Sequence, residues 1–283
     1  MKNQINPNLA FNQMLYSTLK IYCGGGTGTG FIFTINVKNT IIPLLITNKH
    51  VVEHKEKNTI TVILHLTDEN GNEDNCKVTA ECDWYFHSSK DLCFTFFSNI
   101  VEKAHKQTGK KVNYIAIGED LIPNQDTLNN LSSVEEIVMV GYPIGLWDSV
   151  HNYPLFRHGY TSTHPAIGFE GDDIGLIDIA ALPGSSGSPI FIRDSGMSKQ
   201  KGIIEYRDRL YLMGIQYATI LEDVTGELIV EDVPTKSNYR IKGKNPTNIG
   251  YYVRSSCLLE FKDTIKEMLE KRPNNQENGF NSG

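Results

Sequence analysis

The chain has 283 residues, of which 40% are hydrophobic and 21% charged, with a net charge of −6 and a pI near 5.8. That balance is ordinary for a folded globular protein and argues against a nucleic-acid surface as the main function. The run "IIPLLI" is too short to cross a bilayer, and the start "MKNQINPNLAFNQMLYSTLK" lacks an apolar core of signal-peptide length. The five cysteines, Cys23, Cys76, Cys82, Cys93 and Cys257, are odd in number and irregular in spacing. Reduced thiols in a cytoplasmic protein are therefore expected. Cys76, Cys82, His87 and Cys93 fit no common zinc spacing, so no metal site is expected there.

In chain order, an amphipathic helix is expected over 7–15. The glycine-rich run Gly24–Gly30 has no P-loop lysine and no G-x-G-x-x-G spacing, and reads as a flexible lead into a strand. Residues 31–37 alternate, with Phe31, Phe33, Ile35 and Val37 on one face. Strands are expected over 41–47 and 59–66, then, after the turn "DENGN", over 76–85 and 92–97. The polar segment 104–133 reads as a connection between two halves. Further strands are expected near 136–141, 155–162, 175–181, 188–193, 201–206, 210–218 and 249–254. A second helix, capped by Ser255 or Ser256, runs to about Lys271 with an apolar stripe of Leu258, Phe261, Ile265, Met268 and Leu269. Pro273 stops it, and the polar tail reads as disordered. The basic cluster Lys236, Arg240, Lys242 and Lys244 reads as a solvated loop. Many short strands with little helix indicate an all-β barrel or sandwich.

The chemistry is carried by three separated places. "LLITNKHVV" sets His50 at the end of an apolar strand, "SSKDLCFTFF" sets Asp91 at the start of another, and "GSSGSP" holds Ser186 in a glycine-rich loop. Each alone has a structural reading: a strand-end histidine, a strand-initiating aspartate, a tight turn. Together they supply a nucleophile, a base to take its proton and a carboxylate to orient the base. His54 and Asp83 compete less well, as does His158, for which a packing role is expected. Ser185 and Ser188 read as loop residues and Cys93 as a core thiol.

With these motifs in hand, the chain resembles a chymotrypsin-fold serine peptidase of the bacterial trypsin-like group, related to the catalytic domains of HtrA proteases. The matching stretches are "GTGFIF" at 28–33, "LITNKHVV" at 45–52, "KDLCFTFF" at 90–97, "VGYPIG" at 140–145, "PGSSGSPIF" at 183–191 and "LMGIQYA" at 212–218. The resemblance implies two six-stranded antiparallel β-barrels and a C-terminal α-helix. It divides the chain into a first barrel with a leading helix (1–110), a linker (111–134), a second barrel (135–256), a helix (257–272) and a disordered tail (273–283). It implies His50 as base, Asp91 as its orienting carboxylate, Ser186 as nucleophile, and the backbone N–H groups of Gly184 and Ser186 as oxyanion donors.

The resemblance also implies substrate contacts at Ala180, Gln216, Tyr217 and Ala218, a protein or peptide substrate, and no cofactor. Neither nucleic acid nor a membrane is an expected partner. Where relatives form an ion pair between a cut N-terminus and an aspartate before the nucleophile, this chain has Ser185, so that activation is not expected. No PDZ-like sequence follows residue 260. Ala180, six residues before Ser186, has no charge to attract Lys or Arg, so a small or apolar substrate anchor is expected, with Asp178 nearby. The alternative reading is a weakly catalytic peptide-binding or sensor module, or a protease switched on by a protein partner.

Overall fold

The computed structural model describes residues 9–53, 58–200, 203–228 and 239–271. His54, Lys236, the first two residues of the expected leading helix and the tail from Pro273 lie outside them.

The first half begins with α1 (Ala10–Ser17), followed by strands β1 (Thr18–Cys23), β2 (Gly26–Val37) and β3 (Thr40–Thr47). A single helical turn, α2 (Lys49–Val52), precedes β4 (Thr59–Thr67), β5 (Glu73–Glu81), β6 (Tyr85–Phe86) and β7 (Cys93–Phe96). Then come α3 (Phe97–Thr108) and β8 (Lys111–Val112). These eight strands form one antiparallel sheet in the order β5-β4-β1-β2-β3-β7-β6, with β8 on β4. β6 and β8 are two-residue additions to six longer strands.

The sheet buries both faces. Leu19, Ile21, Ile32, Leu45, Val62 and Val78 pack with Phe97, Ile100 and Ala104 of α3 on one side. Phe31, Phe33, Leu44, Ile46 and Phe94 face the second half on the other. The assignment of neighbours to opposite faces follows from the period-2 alternation of a strand.

α3 departs from the expectation, which ran the strand through Phe97 and read a polar connection from 104. The apolar residues Phe97, Ile100, Val101 and Ala104 have helical spacing. Gly109, with φ +69°, ends the helix in a left-handed cap that glycine adopts without strain.

The second half contains α4 (Gln125–Asn129), β9 (Glu136–Gly141), β10 (Leu155–Thr161), β11 (Ile174–Asp178), β12 (Pro189–Gln200), β13 (Ile203–Leu228) and β14 (Tyr239–Arg254). Its six strands close into a barrel in the order β10-β11-β14-β13-β12-β9, filled by Ile137, Met139, Ile177, Ile179, Ile190, Ile192, Met213 and Tyr252. The expected C-terminal helix is a 3₁₀ turn, Ser255–Glu260, leading into α5 (Phe261–Lys271). Leu258, Phe261 and Ile265 of its stripe are buried in the core shared by the two halves, with Met268 and Leu269 packed on its margin. The fold is all-β in its framework: a closed six-stranded barrel, a second sheet, and a helix docked across both.

Candidate active site

β3 ends at Thr47, and His50 lies in α2, the turn that follows, not on the strand itself. Asp91 lies in the loop between β6 and β7. Its Oδ2 is 2.5 Å from His50 Nδ1, and its Oδ1 accepts the His50 backbone N–H at 3.0 Å. Asn48 Nδ2 donates to the Asp91 carbonyl at 2.7 Å. The carboxylate therefore holds the proton on Nδ1 and leaves the Nε2 lone pair free to accept another. The His50 side chain is 42% exposed, so that lone pair is accessible.

The Asp91 loop has further anchors. His87 Nδ1 accepts the N–H groups of Ser89 (3.3 Å) and Lys90 (3.1 Å). Nδ1 is thus unprotonated and Nε2 carries the proton, 3.1 Å from Glu260 Oε2. Cys257 joins this pair in a cluster of the size that could hold a metal. The tautomer does not suit it: Nε2 has no lone pair to offer, and burial pushes the Cys257 thiol up to about 12. Cys76, Cys82 and Cys93 are not part of that cluster. Lys90 forms an ion pair with Asp172 of the second half.

Ser186 sits half-buried in the loop between β11 and β12. The donors around it divide in two. Ser185 N donates to Leu182 O, Gly187 N to Gln216 O and Ser188 N to Ser185 O, at 2.9, 2.9 and 3.0 Å. Among the described residues, the N–H groups of Gly184 and Ser186 make no hydrogen bond. Gly184 and Gly187 both have φ +89°. A Cβ on Gly184 would stand 2.5 Å from the Tyr142 carbonyl, and one on Gly187 would run into the Thr29 carbonyl. Both positions therefore demand glycine, for backbone angle and for space.

The loop is held largely by parts of the chain far from it. Thr29 N donates to Ser186 O at 2.8 Å, and Thr29 Oγ1 donates to Gly184 O at 2.8 Å while accepting Tyr142 N at 3.1 Å. Thr47 Oγ1 donates to Thr29 O at 2.7 Å, joining the Ser186 loop to the end of β3, three residues before His50. The Ile144 N–H donates to the Pro183 carbonyl. The Pro183–Gly184 peptide is trans, so its carbonyl and the Gly184 N–H point in opposite directions. Ile144 adopts φ +46°, ψ +27°, an uncommon backbone for a β-branched residue. Its loop is clamped by Lys20, which is only 3% exposed. Lys20 Nζ donates to Gly145 O at 2.6 Å and lies 3.3 Å from the centre of the Trp147 ring. Burial lowers the Lys20 pKa.

Beside the loop, Gln216 spends its backbone N–H on Ser188 O, and its side chain donates to Ala218 O at 3.0 Å. Tyr217 falls in a bulge between the pairs Gln216–Tyr252 and Ala218–Tyr251. Burial first, then the nearby Tyr251, Asp172 and Asp91, raise its hydroxyl pKa, which sets Tyr217 within electrostatic reach of the Asp91 loop. Ser185 and Ser188 are buried loop residues. Cys93 is fully buried, with its thiol pKa raised by that burial. Asp83 is at a groove beside α5. His158 does not pack in the interior: it is exposed, 3.2 Å from Glu136. The sequence assigned no role to Thr29, Lys20, Tyr142 or Ile144, because their contacts span up to 157 positions; the stretches "GTGFIF" and "VGYPIG" marked Thr29, Tyr142 and Ile144 only as parts of the resemblance.

The model of the trypsin-like peptidase domain matches residues 28–197, more than half of the chain, and the chain belongs to that family. A comparison with curated proteins found no match. Among solved structures, an inactive serine-to-alanine mutant of Rv3671c from M. tuberculosis H37Rv is 15% identical, with 97% of this chain and 94% of that one covered and a TM-score of 0.44. The HtrA-type protease AlgW with a decapeptide is 15% identical, with 91% and 66% covered and a TM-score of 0.46. The thermostable serine protease AL20 from an extremophilic microorganism is 12% identical, with 89% and 97% covered and a TM-score of 0.44.

Proposed function

We propose that the protein is a serine endopeptidase working through an acyl-enzyme. Ser186 Oγ attacks the peptide carbonyl while His50 Nε2 takes its proton. His50 then gives that proton to the leaving amine, and the C–N bond breaks. Water, deprotonated by the same imidazole, releases the acyl group. Asp91 fixes the tautomer and stabilises the imidazolium. The free N–H groups of Gly184 and Ser186 receive the oxyanion, each worth about 3 kcal/mol of barrier. The extended chain of a substrate runs along Gln216–Ala218, beside Ala180.

The observation that carries this reading is the 2.5 Å contact of His50 Nδ1 with Asp91, made while the two N–H groups at Ser186 stay unpaired. Ser186 Oγ has no hydrogen-bond partner among the described residues. Bonds between nucleophile and base tighten when substrate binds. No helix among the described residues is long and apolar enough to cross a membrane. All five cysteines are unbridged, which supports a reducing, cytoplasmic setting.

A serine-directed phosphonate probe tests the assignment. Wild-type protein is expected to gain the mass of one adduct on Ser186, and Ser186→Ala none. Equal labelling of the two sinks the peptidase reading. Peptide binding without cleavage, unchanged by Ser186→Ala, would establish the binding-module alternative, and labelling only after adding a protein partner would establish a switched protease.

A further inference from the structure

Among the described residues, Arg157 is a cation with no counter-ion, beside Ala180 of the proposed substrate contacts. On β10 it stands directly opposite Met139 of β9, and directly opposed residues share a face. Met139 is in the core of the second barrel, so Arg157 enters the barrel interior. Its guanidinium reaches the end of β11 and donates to the carbonyl of Ala180, six residues before Ser186. Asp178, the acidic residue closest in sequence to Ala180, is paired with Tyr160 on the opposite, exposed face.

Among the described residues, no carboxylate pairs with Arg157. Partial burial disfavours its charge, yet an arginine stays protonated at any ordinary pH. The Arg157 side chain is only partly buried, and its other guanidinium nitrogens are not among the sealed polar atoms of the interior, so they have access to solvent. A half-buried cation with open donors is costly unless an anion completes it, and a guanidinium fork fits a carboxylate.

We propose that Arg157 makes the pocket selective for an acidic anchor: the enzyme cleaves after Asp or Glu, whose side-chain carboxylate pairs with the guanidinium. This rests on the peptidase reading of Ser186 and replaces the small or apolar anchor suggested by Ala180. The contact has a charged partner and changes nothing at the scissile bond, so it acts on selection among substrates.

Two measurements test it. In the first, matched peptides differ only in Glu, Gln, Leu or Lys before the cut bond. Glu is expected to exceed Gln in kcat/KM by roughly 10- to 100-fold, and Arg157→Met to erase that ratio while a phosphonate with a neutral anchor still labels Ser186. Equal rates on Glu and Gln, or a Glu preference that survives Arg157→Met, overturn the proposal. In the second, product peptides ending in Glu or Gln at their free C-terminus are titrated into Ser186→Ala by calorimetry. This needs no catalysis, so it stands even if the phosphonate test fails. Tighter binding of the Glu peptide, lost in Arg157→Met and partly kept in Arg157→Lys, supports the pocket; equal binding refutes it.

Discussion

The two halves hold their parts of the site in different ways. His50 and Asp91 are fixed mainly by their own neighbours: the His50 backbone, the imidazole and Asn48 all bond to Asp91 within the first half. The Ser186 loop belongs to the second barrel, yet Thr29 of the first half supports it, and so does the Ile144 loop that Lys20 clamps. The direct bonds to Asp91 come from its own half, with Lys90 adding one ion pair to Asp172 across the interface, whereas the serine loop takes much of its bracing from the other half. Conservative changes should therefore disable the first through chemistry, whereas distant ones disable the second through geometry.

The largest effect is expected at Asp91. Asp91→Asn keeps the shape but favours the wrong tautomer of His50, and kcat should fall about 10⁴-fold. Steady-state kinetics check this, with an unchanged melting temperature as control; a loss under tenfold would mean that Asp91 does not orient the base.

Next is Lys20→Met, which touches neither substrate nor triad. Freed from Gly145 O and the Trp147 ring, the Ile144 loop loses its hold on the Pro183 carbonyl. A fall in kcat of roughly 10- to 100-fold with KM little changed is expected, and binding of a peptide aldehyde that forms a tetrahedral adduct should weaken in parallel. A higher KM at constant kcat would show that Lys20 supports substrate binding, not the oxyanion donors.

The smallest effect on activity is expected at His65, which joins the halves without entering the site. Its ring lies against Tyr16 and, from the second half, Tyr153, at 4.8 and 5.6 Å between centroids. Burial lowers its pKa to about 4. The folded state thus resists a proton that the unfolded chain binds near pH 6.5. The stability at stake is fully present above that pH and is lost as the pH falls towards 4, on the order of 3 kcal/mol. His65→Phe should flatten this acid limb in thermal melts between pH 7 and 4, with kcat at neutral pH unchanged; an identical limb in both proteins would refute the role.

These contrasts also explain what the sequence could reveal. His50, Asp91 and Ser186 were legible because each sits in a short run with its own character: an apolar strand, a turn before a strand, a glycine loop. The alternating strands were legible for the same reason. α3 had the right period in Phe97, Ile100, Val101 and Ala104, but it follows β7 without a break, so the expected strand took in Phe97 and residues 98–103 received no element. β1 went unseen because six residues between a helix and a glycine run carry little signal. Lys20, Ile144 and Arg157 carry no signal of their own in sequence, and their roles exist only through pairings with distant segments.

Thr29 has a consequence for how the protein is made. It contacts Thr47, Tyr142, Gly184 and Ser186, drawn from both ends of the interface. A chain emerging from the ribosome presents His50 and Asp91 long before any serine loop. A finished chain whose halves have yet to dock has the serine but nothing to brace it. Under the proposed mechanism, proteolytic competence arrives with the last folding step, so unfinished copies cannot digest their surroundings or one another.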